Sequence, residues 1–373
     1  MTAGTDSFDI VVIGAGMAGA SVAAELAQSA RVVLLERESR PGYHTTGRSA
    51  AVYTSAYGPP VIRALTRASA NAFAQLGDHP LLRPRGVLFA VRDGQQALAA
   101  ALESELGPAV TPVSARAARD MMPLLRADGL AGALLDQSAA DIDVDGLHQY
   151  YLRAFRAADG ELRCGSEVLG LSQGVDGWRI ETSRGTIRAE RVVNAAGAWA
   201  DVLAGMAGVR PVGLVPKRRT VALVAPPAGF VPDGHPMVVG VDESYYLKPD
   251  AGKLLISPAD ETPSPPCDAQ PEDWDIAVCV DRIETVFDLS VRRIEHKWAG
   301  LRSFVADKSP VVGYATEAPG FFWLAGQGGY GIQSAPALAQ VAAALVLGRP
   351  VPDQIAAQGV TAAALSPDRK GLN

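Results

Sequence analysis

The segment that most constrains the fold lies near the amino terminus and reads "FDIVVIGAGMAGASVAAELAQSARVVLLERE". An apolar run from Ile10 to Ile13 is followed by an Ala-rich stretch and then by a second β-branched run, "RVVLLE". This order predicts a strand, a tight turn, a helix and a second strand, which together form a βαβ unit. At the turn, Gly14, Gly16 and Gly19 spell G-x-G-x-x-G, whose missing side chains permit a sharp bend, backbone approach to a pyrophosphate and close packing of the helix.

An acidic residue ends the second strand of this unit. Glu36 lies twenty residues beyond Gly16, where a carboxylate accepts hydrogen bonds from a ribose diol and repels a 2′-phosphate. Amides at the helix N-terminus would hold the phosphates. Glycine turns also occur for structural reasons alone, but strand, turn, helix, second strand and acid agree here. The pattern predicts a dinucleotide site for FAD or NAD and disfavours NADP.

The next segment, "TTGRSAAVYTSAYG" (45–58), separates these two cofactors. An NAD enzyme would continue into further βα repeats, whereas this segment is polar and precedes the start of a helix. The hydroxyls of Thr45, Thr46 and Ser49, with the small Ala50 and Ala51, suit a segment that lies along a long, flat cofactor. The alternative is the N-cap of the following helix.

Three later segments also favour FAD. We expect "ELRCGSEVLGL" (161–171) to be a strand that places backbone near Val168 against an adenine, and "RVVNAAGAWAD" (191–201) to be a strand that runs into a small-residue turn. "FFWLAGQGGYGIQSAPALAQVAAAL" (321–345) predicts a strand, a glycine turn and a helix whose N-terminus stabilises the anion of a reduced flavin. Contacts spread over the whole chain suit FAD better than NAD.

Composition limits the partners. The net charge of −6 gives no broad positive field, so we expect small molecules and no nucleic acid. The three cysteines form no C-x-x-C pair, which argues against a disulfide framework or a metal site and favours a reducing compartment. The amino terminus has no basic region, and the apolar segment 334–348 is shorter than a membrane span. We therefore expect a cytoplasmic protein without stable membrane insertion, and the oligomeric state stays open.

Longer phrases carry a family resemblance: "LERESRPGYHTTGRSAA", "AADIDVDGLHQ", "VNAAGAW", "GLVPKRR", "DESYYLKPDAG", "WAGLRSFVAD" and "GQGGYGIQ". Across nearly its whole length the chain resembles the FAD-dependent D-amino acid oxidase and glycine oxidase family, and within it the bacterial D-arginine dehydrogenases. The resemblance implies an α/β fold, with a Rossmann-like FAD-binding domain and a second domain built on an antiparallel sheet that roofs the flavin. We assign residues 1–80, 140–210 and 300–373 to a discontinuous FAD-binding domain, and residues 81–139 and 211–299 to the substrate-binding domain.

The resemblance also implies which residues bind the noncovalent FAD. They are Gly14, Gly16, Gly19, Glu36, Arg37, His44, Thr45, Thr46, Gly47, Arg48, Ser49, Ala50, Ala51, Val168, Ala196, Gly197, Trp199, Gly328, Gly329, Tyr330, Gly331 and Ile332.

Basic residues in "LVPKRRTVALV" (214–224) are candidates for substrate binding. Strand alternation puts Lys217 and Arg219 on one face and Arg218 on the other. Taken alone, the triplet favours a solvated edge strand. The resemblance instead makes Arg219 a pocket arginine and Arg302 the carboxylate-binding arginine, and a planar guanidinium can hold a carboxylate through two hydrogen bonds.

The remaining expected catalytic residues also come from the resemblance. Tyr57 and Tyr246 match substrate-contacting tyrosines, although either one alone would be an ordinary half-buried tyrosine. Gly329 and Gln333 match positions around the flavin edge and the substrate. None of the five histidines is compelling as a base, which is acceptable because hydride can leave the α-carbon directly once the amino group is neutral.

Two departures bear on the substrate. Where the arginine enzymes have a carboxylate after "HPLLxPR", this chain has Gly86, and where they have a pocket histidine it has Val52. Both changes remove polarity, so we expect neutral or apolar D-amino acids as substrates and a quinone or another electron acceptor. The alternatives are an oxygen-using oxidase of glycine, sarcosine or another secondary amine, a 2-hydroxy acid oxidoreductase, and a flavin-binding protein without turnover.

Overall fold

The computed structural model describes residues 6–372. Its strands are β1 (Asp6–Ile13), β2 (Val32–Leu35), β3 (Val52–Tyr53), β4 (Leu82–Pro84), β5 (Val87–Arg92), β6 (Thr111–Ser114), β7 (Leu130–Asp136), β8 (Ala140–Ile142), β9 (Glu161–Arg163), β10 (Val168–Gly174), β11 (Gly177–Thr182), β12 (Gly185–Asn194), β13 (Val215–Val224), β14 (Met237–Gly240), β15 (Tyr246–Asp250), β16 (Lys253–Ser257), β17 (Thr262–Pro263), β18 (His296–Phe304), β19 (Val311–Tyr314) and β20 (Phe321–Ala325). Its α-helices are α1 (Met17–Leu26), α2 (Pro60–Gln75), α3 (Gln96–Leu106), α4 (Ala115–Met121), α5 (Val144–Ala157), α6 (Ala200–Met206), α7 (Asp273–Val286), α8 (Ala335–Val346), α9 (Asp353–Ala356) and α10 (Ala362–Leu365). Short 3₁₀ helices cover Thr46–Arg48, Gly107–Ala109 and Gly197–Trp199.

The first sheet is the predicted Rossmann-like layer. Strands β9, β2, β1, β12 and β20 run parallel in that order, and β19 and the hairpin β10–β11 extend it in antiparallel fashion. The four residues of β2 are all buried, as a strand covered on both faces requires. Helices α1, α5 and α8 contribute to the core on one face, and α6 contributes to the core on the other.

The second sheet is built mainly from antiparallel pairs, as the resemblance implies. Its order is β17-β13-β16-β15-β14-β5-β7-β6, and β18 pairs along β13. Among residues 6–372, β14–β5 is the one parallel pair of this sheet. Helices α4 and α7 pack against this sheet, and Ala118 of α4 and Cys279 of α7 are buried in the core between them. A third, small sheet has the strand order β3-β8-β4. The domain boundaries given above stay a prediction.

One element prediction was wrong. Residues 161–171 form two strands, β9 and β10, which are separated by a turn. Gly165 adopts a φ of +61° there, and the amides of Gly165 and Ser166 donate to the carbonyls of Glu38 and Glu36 at 2.8 Å each. The chain bends at this point to follow the end of β2, a long-range contact that strand periodicity does not encode.

Within residues 6–372 no helix is long and apolar enough to cross a bilayer. Across the same residues no group of three or more His, Cys, Asp or Glu side chains is arranged to hold a metal ion.

Candidate active site

A deep cleft is lined by the carboxyl ends of the parallel strands and by the second sheet. It contains about 1700 Å³ of space between its walls, including its open mouth. Its lining extends from Glu36, directly after β2, to Arg302 on β18, so one continuous cleft joins the end of the first βαβ unit to the second sheet.

The glycine turn between β1 and α1 forms one wall of the cleft. Gly14 has a φ of +101°, and a Cβ there would lie 2.5 Å from the Ala195 carbonyl oxygen. A Cβ on Gly19 would lie 1.7 Å from the Gly14 carbonyl oxygen, so Gly19 lets the helix pack directly on the turn. The start of α1, residues 16–18, therefore lines the cleft, where amides at a helix N-terminus can bind a phosphate.

Glu36 lies at the cleft and is 7% exposed. Its Oε2 accepts the Ala15 amide at 3.0 Å and its Oε1 accepts the Glu38 amide at 2.9 Å. Each carboxylate oxygen can accept a further hydrogen bond. The backbone therefore holds the carboxylate in place and leaves it able to accept ribose hydroxyls.

The hydroxyl-rich segment after β2 hydrogen-bonds to both walls of the cleft, at α1 and at β18. The Thr46 hydroxyl accepts the Met17 amide at 2.9 Å and retains its own hydrogen for a phosphate oxygen. The Thr45 hydroxyl donates to the Leu301 carbonyl at 2.8 Å. Arg48 donates to the carbonyls of Ala269 and Ala299 at 2.9 and 3.0 Å and pairs with Asp268. Its guanidinium therefore connects this segment to residues 268–269 and to β18. None of these side chains caps the following helix α2, whose N-cap is Pro59 without a side-chain hydrogen bond.

The structure brings most of the predicted cofactor residues to this cleft. Those that line it are Gly14, Gly16, Glu36, Arg37, His44, Thr45, Thr46, Arg48, Ser49, Ala50, Val168, Ala196, Gly197, Trp199, Gly328, Gly329, Gly331 and Ile332. Gly19, Gly47, Ala51 and Tyr330 are not among the lining residues. Tyr330 instead packs against Tyr57, with ring centroids 4.9 Å apart.

Among the lining residues that the sequence analysis did not name, two carry buried polar groups that a cofactor could satisfy. Within residues 6–372, the Ser166 Oγ and the Gln327 Nε2 are buried and have no hydrogen-bond partner. A buried polar group without a partner costs about 1–3 kcal/mol, so a polar ligand is expected beside each. Gln327 lies within the glycine turn that the sequence singled out, whereas Ser166 reaches the cleft through the unpredicted turn after β9. Together with the glycine turn and Glu36, these groups fit FAD.

The substrate end of the cleft is lined by Arg219 on β13, Tyr246 on β15 and Arg302 on β18. Arg219 is 8% exposed, donates from Nε to the Asp260 carbonyl at 2.9 Å and lies 3.4 Å from Glu261 Oε1. Arg302 Nη1 donates to the Tyr57 hydroxyl at 3.4 Å. In the described part of the chain, no acidic side chain pairs with Arg302 within 4.0 Å.

The electrostatics of this end favour an anion. Burial lowers the pKa of Arg219, and the charge of Arg302 lowers it further. Both guanidiniums nevertheless stay protonated, because an arginine side chain is not deprotonated in proteins. A Cβ on Gly329 would lie 2.8 Å from Arg302 Nη1, so the glycine leaves room for this guanidinium. The Tyr246 hydroxyl is buried without a partner among residues 6–372.

Strand β13 shows the predicted alternation of its basic residues. Lys217 and Arg219 both reach Glu261, at 2.8 and 3.4 Å. Arg218 lies on the other face and pairs with Asp275 of α7 at 2.9 Å and with Glu272. The cluster therefore gives the cleft one guanidinium from this strand.

Gln333, Gly86 and Val52 lie outside the cleft lining. Gln333 is 3% exposed, and its Oε1 accepts the Thr54 amide at 3.3 Å. Gly86 has a φ of +74°, where a side chain would be strained. Val52 packs with Val87 in an apolar cluster.

Comparison with known proteins agrees with this geometry. A model of the family described as FAD dependent oxidoreductase matches residues 9–345. The glycine oxidase of Bacillus licheniformis is 24% identical over 361 residues, which cover 92% of this chain and 94% of that protein. A glycerol 3-phosphate dehydrogenase of Caloramator mitchellensis is 26% identical over 357 residues, which cover 89% of this chain and 72% of that protein.

A solved structure supports the fold. The glycine oxidase of Geobacillus kaustophilus superposes with a TM-score of 0.78 at 24% identity, covering 92% of this chain and 96% of that one. The family match spans most of the chain, and the cleft carries the groups that FAD requires. The protein therefore belongs to the FAD-dependent oxidoreductases of the D-amino acid oxidase family, and FAD is its cofactor.

Proposed function

We propose that this enzyme oxidises D-amino acids with neutral or apolar side chains to the corresponding imino acids. The observation that carries the proposal is Arg302, a guanidinium that faces the cleft and has no acidic partner among the described residues. A substrate carboxylate would supply the missing charge. Hydrogen bonds between charged groups contribute about 1.5–3 kcal/mol each, which is enough to orient a small substrate.

The side chains around Arg302 would position the substrate for its oxidation. The Tyr246 hydroxyl lines the cleft without a partner among residues 6–372, so it can hydrogen-bond the carboxylate or the amino group. Tyr57 lies outside the lining and accepts a hydrogen bond from Arg302, so it would act by holding that guanidinium. Bound FAD would supply the acceptor for the hydride that leaves the α-carbon. His44 is the histidine among the lining residues, and its ring packs against Trp199. No histidine is assigned as a catalytic base here, so in this proposal the substrate reacts as its neutral amine. Positioning of the substrate by the protein then carries much of the catalysis.

The polarity of the cleft supports the side-chain preference. Its acidic lining residues are Glu36 and Glu167, and both lie near the end of β2, away from Arg302. Val221 and Tyr246 line the substrate end and pack with the half-buried Met237. An apolar side chain gains about 25 cal/mol per Å² that it buries there. A cationic side chain would lose water and meet no acidic lining residue, because Glu261 does not line the cleft and already pairs with Lys217 and Arg219.

A second candidate is an oxidase of glycine or of a small secondary amine. The matched relatives described as glycine oxidases support it, and the same arginine would hold the carboxylate of glycine. For the leading proposal we favour a quinone or another acceptor to reoxidise the flavin, and the cytoplasmic location stays a prediction.

One experiment separates the candidates. The holoenzyme is mixed under nitrogen with D- and L-amino acids, glycine, sarcosine, 2-hydroxy acids and glycerol 3-phosphate, and the flavin absorbance is followed. The proposal expects D-leucine, D-methionine or D-phenylalanine to reduce the flavin fastest. Faster reduction by glycine or sarcosine would favour the second candidate, and no reduction by any amine would refute both. Oxygen uptake with the best substrate then distinguishes an oxidase from a dehydrogenase.

A further inference from the structure

His148, on α5, is a buried histidine that no part of the proposed reaction uses. It is 4% exposed, does not line the cleft, and its Nε2 lies 3.0 Å from the carbonyl oxygen of Ala15 in the glycine turn. A carbonyl oxygen only accepts hydrogen bonds, so Nε2 carries the hydrogen. Burial lowers the pKa of His148 and so favours the neutral ring. The Ala15 carbonyl and the Asp145 charge act in the opposite direction, but their effects are smaller.

The Ala15 carbonyl shares a peptide unit with the Gly16 amide. The unit is planar and trans, so the C=O and N–H bonds point in opposite directions. By holding the carbonyl toward α5, His148 turns the Gly16 N–H away from that helix, and Gly16 lines the cleft. Among residues 6–372 no protein atom accepts this N–H.

The preceding peptide is held in a complementary way. The Ala15 N–H donates to Glu36 Oε2 at 3.0 Å, so an acid fixes one peptide of the turn and His148 fixes the next. The Gly42 amide also donates to the Ala15 carbonyl, at 3.1 Å. Gly42 has a φ of +73°, and a Cβ there would lie 2.9 Å from His148 Cε1, so the ring packs directly against this glycine.

We propose that His148 is a positioning residue for the FAD pyrophosphate: its Nε2–H holds the Ala15 carbonyl and thereby aims the Gly16 amide at a phosphate oxygen. The role is separate from substrate binding. It rests on the buried contact between α5 and the glycine turn, and it depends on a donor at one particular place in the side chain.

The test compares His148→Phe with His148→Gln. Phenylalanine keeps a ring and removes the donor, whereas the amide nitrogen of glutamine can take the place of Nε2. Each holoprotein is diluted, and the fluorescence of released FAD gives the dissociation constant. We expect His148→Phe to weaken FAD binding about tenfold, equivalent to about 1.4 kcal/mol, and His148→Gln to recover most of that loss. The phosphorus NMR signals of bound FAD should shift in the first variant and return toward the wild-type positions in the second.

The matched control is His235→Phe. His235 Nδ1 lies 2.8 Å from the Met121 carbonyl in the other sheet region, so this variant removes a similar contact far from the glycine turn. It should leave the FAD dissociation constant within about twofold of wild type. Wild-type FAD affinity in His148→Phe would overturn the proposal. So would a loss in His148→Gln as large as that in His148→Phe, because the contact would then act by ring packing alone. If His148→Phe fails to fold, His148→Leu takes its place in the same comparison.

Discussion

Replacing Arg302 by methionine tests the carboxylate anchor. The substitution keeps an unbranched side chain and removes the guanidinium that faces the cleft. Arg219 remains nearby, but Asp260 and Glu261 already accept hydrogen bonds from it. We therefore expect Arg219 to replace Arg302 poorly.

The magnitude follows from the hydrogen bonds that are lost. A charged pair worth about 1.5–3 kcal/mol corresponds to about a 10- to 150-fold fall in kcat/KM. The fall should appear mainly as a higher KM, because the anchor holds the substrate before and during hydride transfer. The flavin spectrum should stay close to that of wild type, since Arg302 itself is not among the residues expected to bind FAD.

Anaerobic stopped-flow measurement of flavin reduction over a range of D-methionine concentrations gives both constants. Lys217→Met is the matched control, because it removes a cation from the neighbouring strand β13. Lys217 pairs with Glu261 and does not line the cleft. Its kcat/KM should stay within about threefold of wild type. A similarly small change in Arg302→Met, or an equal loss in the two variants, would refute the assignment.

Three further predictions concern the cofactor site and its support. Glu36→Ala should release FAD more readily than Glu36→Gln in the dilution assay, because alanine removes both backbone acceptors and the ribose acceptor; equal retention would contradict this. Gly19→Ala should lower the free energy of unfolding by about 1–3 kcal/mol in urea titrations, and by more than Gly16→Ala, whose Cβ would meet only Thr46 Oγ1 at 3.2 Å; the reverse order would count against the packing argument. Burial lowers the pKa of His148 in the folded protein, so below about pH 6.5 the unfolded chain binds a proton there more readily than the folded one. The free energy of unfolding should therefore decrease as the pH falls below that value, and it should decrease less in His148→Gln.

The local features of this fold could be predicted from the sequence. Gly14 and Gly19 are needed for backbone geometry and helix packing within one βαβ unit, so the motif and the structure agree there. The alternation of Lys217 and Arg218 is likewise a property of one strand.

Features that depend on distant segments were missed. The bend at Gly165, which brings Ser166 to the cleft, depends on carbonyls at the end of β2. Arg48 reaches Asp268 across 220 residues of sequence, and no local pattern indicates that partner. Gly86 was expected at the substrate pocket, but its neighbours include the Met237 amide, which donates to its carbonyl, and it does not line the cleft.

The central claim is tested most directly by comparing D-methionine, L-methionine and D-arginine as reductants of the bound flavin. The holoenzyme is mixed with each under nitrogen, and the rate of flavin bleaching is divided by the apparent dissociation constant. The account predicts D-methionine to be the best of the three, because Arg302 holds its carboxylate and the substrate end of the cleft offers apolar contacts without an acidic lining residue. Faster reduction by D-arginine, or no bleaching by D-methionine, would contradict the account.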